Sequence, residues 1–158
     1  MPATFSIRDA TPHDWPTIVD YNLRLAEETE GKLLNRETLT AGVRAVLDQS
    51  AHGRYFLACH DDRVIGQTMI TYEWSDWRNG QIWWIQSVYV EPGSRRQGVF
   101  RGLFEHIRQL AEATPGIIGL RLYVEDQNLP AHETYRSLGM AAPGYFVLER
   151  MFAKPQPE

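Results

Sequence analysis

The run Val88-Tyr89-Val90-Glu91-Pro92-Gly93-Ser94-Arg95-Arg96-Gln97-Gly98-Val99-Phe100-Arg101-Gly102-Leu103 takes the chain from an apolar strand through a short basic turn straight into an amphipathic helix. Few folds accommodate that order, and it builds an anion site. The first turn of a helix leaves backbone N–H groups without intrahelical acceptors and carries about half a positive charge. A phosphate placed there is held by geometry and dipole together. Arg95, Arg96 and Arg101 add full charges beside it, and Gly98 lets the backbone approach a bulky ligand. Taken alone, the same pattern also describes an ordinary strand-to-helix turn with a solvated basic patch.

The 158 residues suffice for one domain that buries roughly two thirds of its unfolded surface. We expect residues 1–153 to fold as that domain, with 154–158 as a flexible tail, since no linker, repeat or low-complexity block divides the chain. Apolar residues at 43% and charged residues at 23% describe a globular chain rather than a disordered or membrane one. Apolar runs fall far short of the ~20 residues of a membrane span. The N-terminus lacks a basic-then-apolar leader, so a cytoplasmic location is expected. A net charge of -4 argues against nucleic acid as a partner, because the arginine cluster is local. The single Cys59 sits in the apolar run Phe56-Leu57-Ala58-Cys59 and reads as a buried strand residue rather than a catalytic thiol.

Periodicity supplies the order of elements. Phe5 and Ile7 alternate with polar residues as a strand, and Thr11-Pro12-His13-Asp14 opens a helix that places Trp15, Ile18, Val19, Asn22 and Ala26 on one face. A second helix follows Asn35 and buries Leu39, Val43, Val46 and Leu47. Tyr55–His60 and Val64–Trp74 read as a hairpin about Asp61-Asp62, and Asn79-Gly80 turns the chain into a third antiparallel strand, Gln81–Val90. The helix after the basic turn is expected to bury Phe100, Leu103, Ile107 and Leu110, and Pro115-Gly116 breaks it before a strand from Ile118 to Val124. A further helix runs from Asn128 to Leu138, Gly139 stops it, and Tyr145–Phe152 alternates as a last strand. The order β-α-α-β-β-β-α-β-α-β predicts an α+β, three-layer fold: a mixed, mostly antiparallel twisted sheet flanked by helices.

Asn128 and Tyr135 are seven residues apart, about two helical turns, and so share a helix face. Each has a plain structural role open to it, Asn128 as an N-cap and Tyr135 as a core aromatic. Together with the basic turn, however, they make the chain resemble the GNAT superfamily of acyl-CoA-dependent N-acetyltransferases over nearly its whole length. Two motifs carry the resemblance. The Q/R-x-x-G-x-G/A pyrophosphate turn is matched by Arg95-Arg96-Gln97-Gly98-Val99-Phe100, and the N-x-x-A-x-x-x-Y helix by Asn128, Ala131 and Tyr135. Phe100 stands where the family has Gly or Ala, so its backbone is expected to keep donating while its side chain packs away from the ligand. No G-x-G-x-x-G dinucleotide turn and no Gly-Lys-Ser/Thr P-loop competes with this reading.

The resemblance implies acetyl-CoA as cosubstrate, with no metal, and transfer of the acetyl group by direct attack of a small-molecule or peptide amine. It implies that backbone groups of Val88 and Val90 pair with the pantetheine arm, that Gly98, Val99, Phe100 and Arg101 cradle the pyrophosphate, and that Arg95, Arg96 and Gln97 flank it. Asn128 would contact the pantetheine or acyl end, and Tyr135 would protonate the departing thiolate as general acid, His132 being a weaker alternative. The base is less defined: family members often carry a carboxylate where this chain has Gln86, so Glu28, Glu73 or Asp76 is the alternative, Glu28 first. The acceptor site would involve Glu28, Glu73, Trp74, Trp84 and Gln86. Trp74, Trp77, Trp83 and Trp84 suit an amine-binding wall, or equally sheet packing with a surface that a second subunit covers in a homodimer. A rival to the enzyme is an acyl-CoA-binding module without transferase activity.

Overall fold

The computed structural model describes residues 4–153, in two compact units divided after Tyr123. In the first, β1 (Ser6–Asp9) leads through a 3-10 turn to α1 (Trp15–Glu30) and α2 (Arg36–Asp48). The strands β2 (Arg54–His60), β3 (Arg63–Ser75) and β4 (Gly80–Val90) follow, then α3 (Val99–Ala113) and β5 (Ile117–Leu122). The second unit holds α4 (Leu129–Ser137).

The sheet runs in the order β1-β2-β3-β4-β5, antiparallel throughout except for the parallel β4–β5 pair, which α3 connects. This is the predicted α+β class. β2 is buried along nearly its whole length because both faces are covered. Tyr55, Leu57 and Cys59 face α1 and α2, packing on Ile18, Val19 and Val43. Phe56 alternates to the other face and meets His106 of α3 edge-on at 5.3 Å. Gly66 of β3 allows α3 to seat closely: a Cβ there would lie 3.0 Å from Val99.

Helix boundaries follow local chemistry. Asn35 caps α2 by accepting the Thr38 N–H at 2.8 Å, and Gly31 ends α1 in a left-handed conformation. The buried stripe of α3 is Val99, Leu103, Phe104, Ile107 and Ala111; Phe100 and Leu110, expected inside, are only half-buried. The helix is rotated by part of a turn from the expected phase, because Val99 rather than Phe100 docks against Gly66. The expected last strand is not formed: Tyr145–Phe152 lies in no ladder among the described residues. Alternation records which faces a strand would present, but only a neighbouring strand completes its backbone hydrogen bonds. The tail at 154–158 lies outside the described residues.

Candidate functional site

A cavity of about 740 Å³ opens where α1 passes the end of β4 and the start of α3. Its walls are Leu25, Glu28 and Thr29 of α1, Val88–Val90 of β4, and Ser94, Arg95, Arg96, Gly98, Val99, Phe100 and Arg101 of the basic turn and the first turn of α3. Gly98 is the N-cap residue of α3, at a φ of +83° that L side chains rarely adopt. A Cβ at Gly98 would meet nothing within 4 Å, so the glycine serves the backbone path rather than relieving a clash inside the protein. That path starts α3 beside Arg96 and Arg101, both exposed, and the first amides of a helix have no intrahelical acceptor. Backbone donors, helix dipole and cations thus converge on one concave surface.

Arg95 is already engaged. Its Nε donates to the Val90 carbonyl at 2.9 Å, an Nη donates to Glu28 at 2.8 Å, and the guanidinium lies 5.5 Å over the Tyr89 ring. It therefore ties the strand end to α1 across the cavity. The same pairing holds the Glu28 carboxyl below its usual range, with a hydrogen bond from Tyr89 acting in the same direction. A carboxylate so held is a poor proton acceptor at neutral pH, so Glu28 belongs to the cavity wall by position and is ill suited to the base role. Gln97 does not line the cavity; its amide donates to the Gly93 carbonyl at 3.1 Å and fixes the turn. Leu25, Thr29 and Ser94 were missed by the sequence reading, although the spacing of Leu25, Glu28 and Thr29 places them on one helix face.

Farther along β4 a different surface appears. Directly opposed residues share a face of the sheet, so Thr71 with Trp84, and Met69 with Gln86, point to the side that carries α1 and α2. Glu73 lies on this side too, in an ion pair with Arg121 of β5, and Trp84 packs on Tyr123 with ring centroids 4.5 Å apart. Gln86 donates to the Thr71 hydroxyl. The tryptophans do not form one wall. Trp74 belongs to the opposite face, as does Trp83, which is buried edge-on against Tyr72; Trp77 lies in the exposed turn that follows β3. Arg121 and Tyr123 escaped the sequence reading because only the parallel pairing of β5 brings them alongside Trp84.

In the second unit Asn128 caps α4, its side-chain oxygen accepting the Ala131 N–H at 3.2 Å. Tyr135 is half-buried two turns on, and burial raises its pKa, so the phenol keeps its proton at neutral pH. His132 is turned to the Glu125 carbonyl at 3.0 Å. Among the described residues no helix is long and apolar enough to cross a membrane, and no group of three or more His, Cys, Asp or Glu is placed to hold a metal ion.

Comparison with known proteins bears on this arrangement. The chain is 28% identical over 131 residues, 83% of its length and 79% of the relative's, to a thialysine N-epsilon-acetyltransferase of Caenorhabditis elegans. The crystal structure of a possible acetyltransferase from Clostridium difficile 630 superposes with a TM-score of 0.90 at 45% identity, covering 95% of this chain and 99% of that one. A predicted acetyltransferase from Clostridium acetobutylicum, solved with acetyl-CoA, shares the fold at 20% identity, with a TM-score of 0.73 over 92% of this chain and 96% of that one. The family model of the acetyltransferase (GNAT) family matches residues 15–140, a span that runs from the start of α1 past the end of α4 and takes in the whole cavity wall, and the chain belongs to that family.

Proposed function

We propose that this protein is an N-acetyltransferase that moves the acetyl group of acetyl-CoA to an amine of a small molecule or peptide by direct attack. The observation that carries the reading is the cavity wall itself, in which strand residues, the first turn of α3 and exposed arginines meet. A pyrophosphate suits the amides and the cations of Arg96 and Arg101; Gly98, Val99, Phe100 and Arg101 form its cradle. Arg95 braces that cradle from behind. The backbone of Val88 and Val90 takes the pantetheine arm as an added strand would be taken, and the family motif assigns Asn128 to the pantetheine or its acyl end.

The acceptor amine is placed over the floor of Trp84, Gln86, Glu73 and Arg121. An amine with a pKa of ~10 is only roughly one part in a thousand neutral at pH 7, so its proton must leave before attack. Glu28 is bound to Arg95, Glu73 to Arg121, and Gln86 takes no proton. Water held on these polar groups therefore relays the proton to solvent. A backbone N–H of Val88 or Tyr89 stabilises the charge that builds on the thioester oxygen, and Tyr135, kept protonated by burial, supplies the proton of the departing thiol. The family motif, with Tyr135 two turns after Asn128, supports this assignment.

Thiol release from acetyl-CoA across a panel of amines tests the proposal. The panel includes the ε-amine of lysine-like amino acids, which the Caenorhabditis elegans relative's name makes the first to try. Turnover with any member is the expected result. Tight acetyl-CoA binding without turnover would instead establish the acyl-CoA-binding module, a reading to which the absent carboxylate at Gln86 lends some support.

A further inference from the structure

The cavity wall of β4 begins just after an irregularity in the sheet, and we infer that Gln67 of β3 is the positioning residue that holds this irregularity in the shape the cavity needs. The inference rests on the reading of the cavity as a coenzyme site.

Gln67 is opposed to Tyr89 and Met69 to Gln86. One residue separates the first pair of positions on β3, and two separate their partners on β4, so β4 carries an extra residue. Ser87 takes up the difference at a φ of +52°, a left-handed conformation that a serine adopts only when its surroundings compel it. The next three residues, Val88, Tyr89 and Val90, are those that line the cavity. How the bulge is held therefore decides which way their backbone groups face.

Gln67 is completely buried. Its Nε2 donates to the Ser87 carbonyl at 3.0 Å and to Asn22 Oδ1 of α1 at 3.3 Å, so both amide protons are used. Asn22 in turn donates to the Tyr55 hydroxyl at 3.3 Å. Three side chains, one each from α1, β2 and β3, thus form a hydrogen-bonded chain that ends on the Ser87 carbonyl at the bulge. The opposite amide orientation is excluded, because it would turn Oε1 onto the Ser87 carbonyl. In the orientation present, Oε1 has no hydrogen-bond partner among the described residues. A buried acceptor left unsatisfied is destabilising, and an apolar side chain of similar size would fill the core without it. What the amide supplies in exchange is a donor to the carbonyl of Ser87, the bulge residue that sits in the left-handed region.

The substitution Gln67→Met keeps the volume and removes the donors. It should weaken binding of coenzyme A, read by calorimetry, at least tenfold, and raise KM for acetyl-CoA by a similar factor while kcat stays within threefold. Amide hydrogen exchange at Val88–Val90 should accelerate without any ligand. Ser87→Gly, added to Gln67→Met, lets the chain take a positive φ unaided and should restore coenzyme affinity to within threefold of the parent. A purely structural role would lower the melting temperature and leave affinity and exchange at these amides untouched; that result overturns the inference. So does a double variant that binds as weakly as Gln67→Met alone. Should Gln67→Met fail to fold, the double variant decides by itself: near-parental affinity supports the role and a tenfold loss refutes it. If the parent protein itself binds no coenzyme A, the proposed function falls, and exchange at Val88–Val90 in the variant still judges Gln67.

Discussion

The two halves of β4 build sites of opposite kind. Its C-terminal end, Val88–Val90, offers backbone to a cavity whose other walls are a turn and a helix start, all contiguous in sequence except for α1. Its N-terminal half, through Trp84 and Gln86, offers side chains to a floor completed by Thr71 and Glu73 of β3, Arg121 of β5 and Tyr123 just after it. The first is a site made by chain conformation, the second a site made by strand register. A backbone site tolerates variation in side chains but not in φ and ψ. A side-chain site behaves the other way round, so under the proposed function substrate choice changes there without loss of the coenzyme.

The sharpest way to break the comparison is Gly98→Val. A branched side chain at a φ of +83° is strained by about 1–3 kcal/mol, and the backbone path into α3 goes with it. Coenzyme affinity should fall at least about a hundredfold, while Gly98→Asn, which tolerates the left-handed region, should lose markedly less. Equal losses in calorimetry would mean that the site is not conformational.

Tyr135→Phe comes next. A general acid is typically worth on the order of a hundredfold or more in kcat, so the rate should drop by about that factor with KM for acetyl-CoA little changed. An unaltered rate would remove Tyr135 from the role.

On the acceptor floor, Glu73→Gln should raise KM for the amine by about tenfold, the scale of one lost charge interaction, and leave coenzyme binding alone. A change in coenzyme affinity instead would show that the two halves of β4 are not separable.

The smallest effect is expected at Glu28. As a partner of Arg95 rather than a base, Glu28→Gln should change kcat by less than about threefold and stability by no more than about 1 kcal/mol, since the pair is partly exposed. The sign with pH is defined. Because the folded carboxyl titrates below its unfolded value, its stabilisation is present above the ordinary glutamate range and is lost as pH falls through the lowered value. The variant and parent should therefore converge in melting temperature at acid pH. A hundredfold loss of kcat with a flattened pH–rate profile would restore Glu28 as the base.

These contrasts track what could be read from residue order. The basic turn was legible because every device in it is local: Gly98 for the positive φ, arginines within six residues, and a helix start whose dipole needs no partner. The strands β2 to β4 and the helices α1 to α4 were legible for the same reason, since period and caps are short-range. The floor was not. Trp74 and Trp84 belong to one tryptophan-rich stretch of sequence, yet pleating and register set them on opposite faces. Glu28 reads as a free acid until α1 is laid against Arg95. Tyr145–Phe152 alternates as a strand should, and alternation is silent about whether a partner strand is there.

Residue order by itself determined the class of fold, the basic turn at the start of α3 and the pairing of Asn128 with Tyr135 on one helix face, because each depends on contacts within about two helical turns or on alternation along one strand. Only the tertiary structure decided that Arg95 is bound to α1 and the end of β4, that Glu28 is held below its usual range, that Arg121 and Tyr123 lie beside Trp84, and that a buried glutamine donates to the Ser87 carbonyl at the bulge of β4. Each of those needs elements distant in the chain to meet, and local propensity carries no information about which of them will.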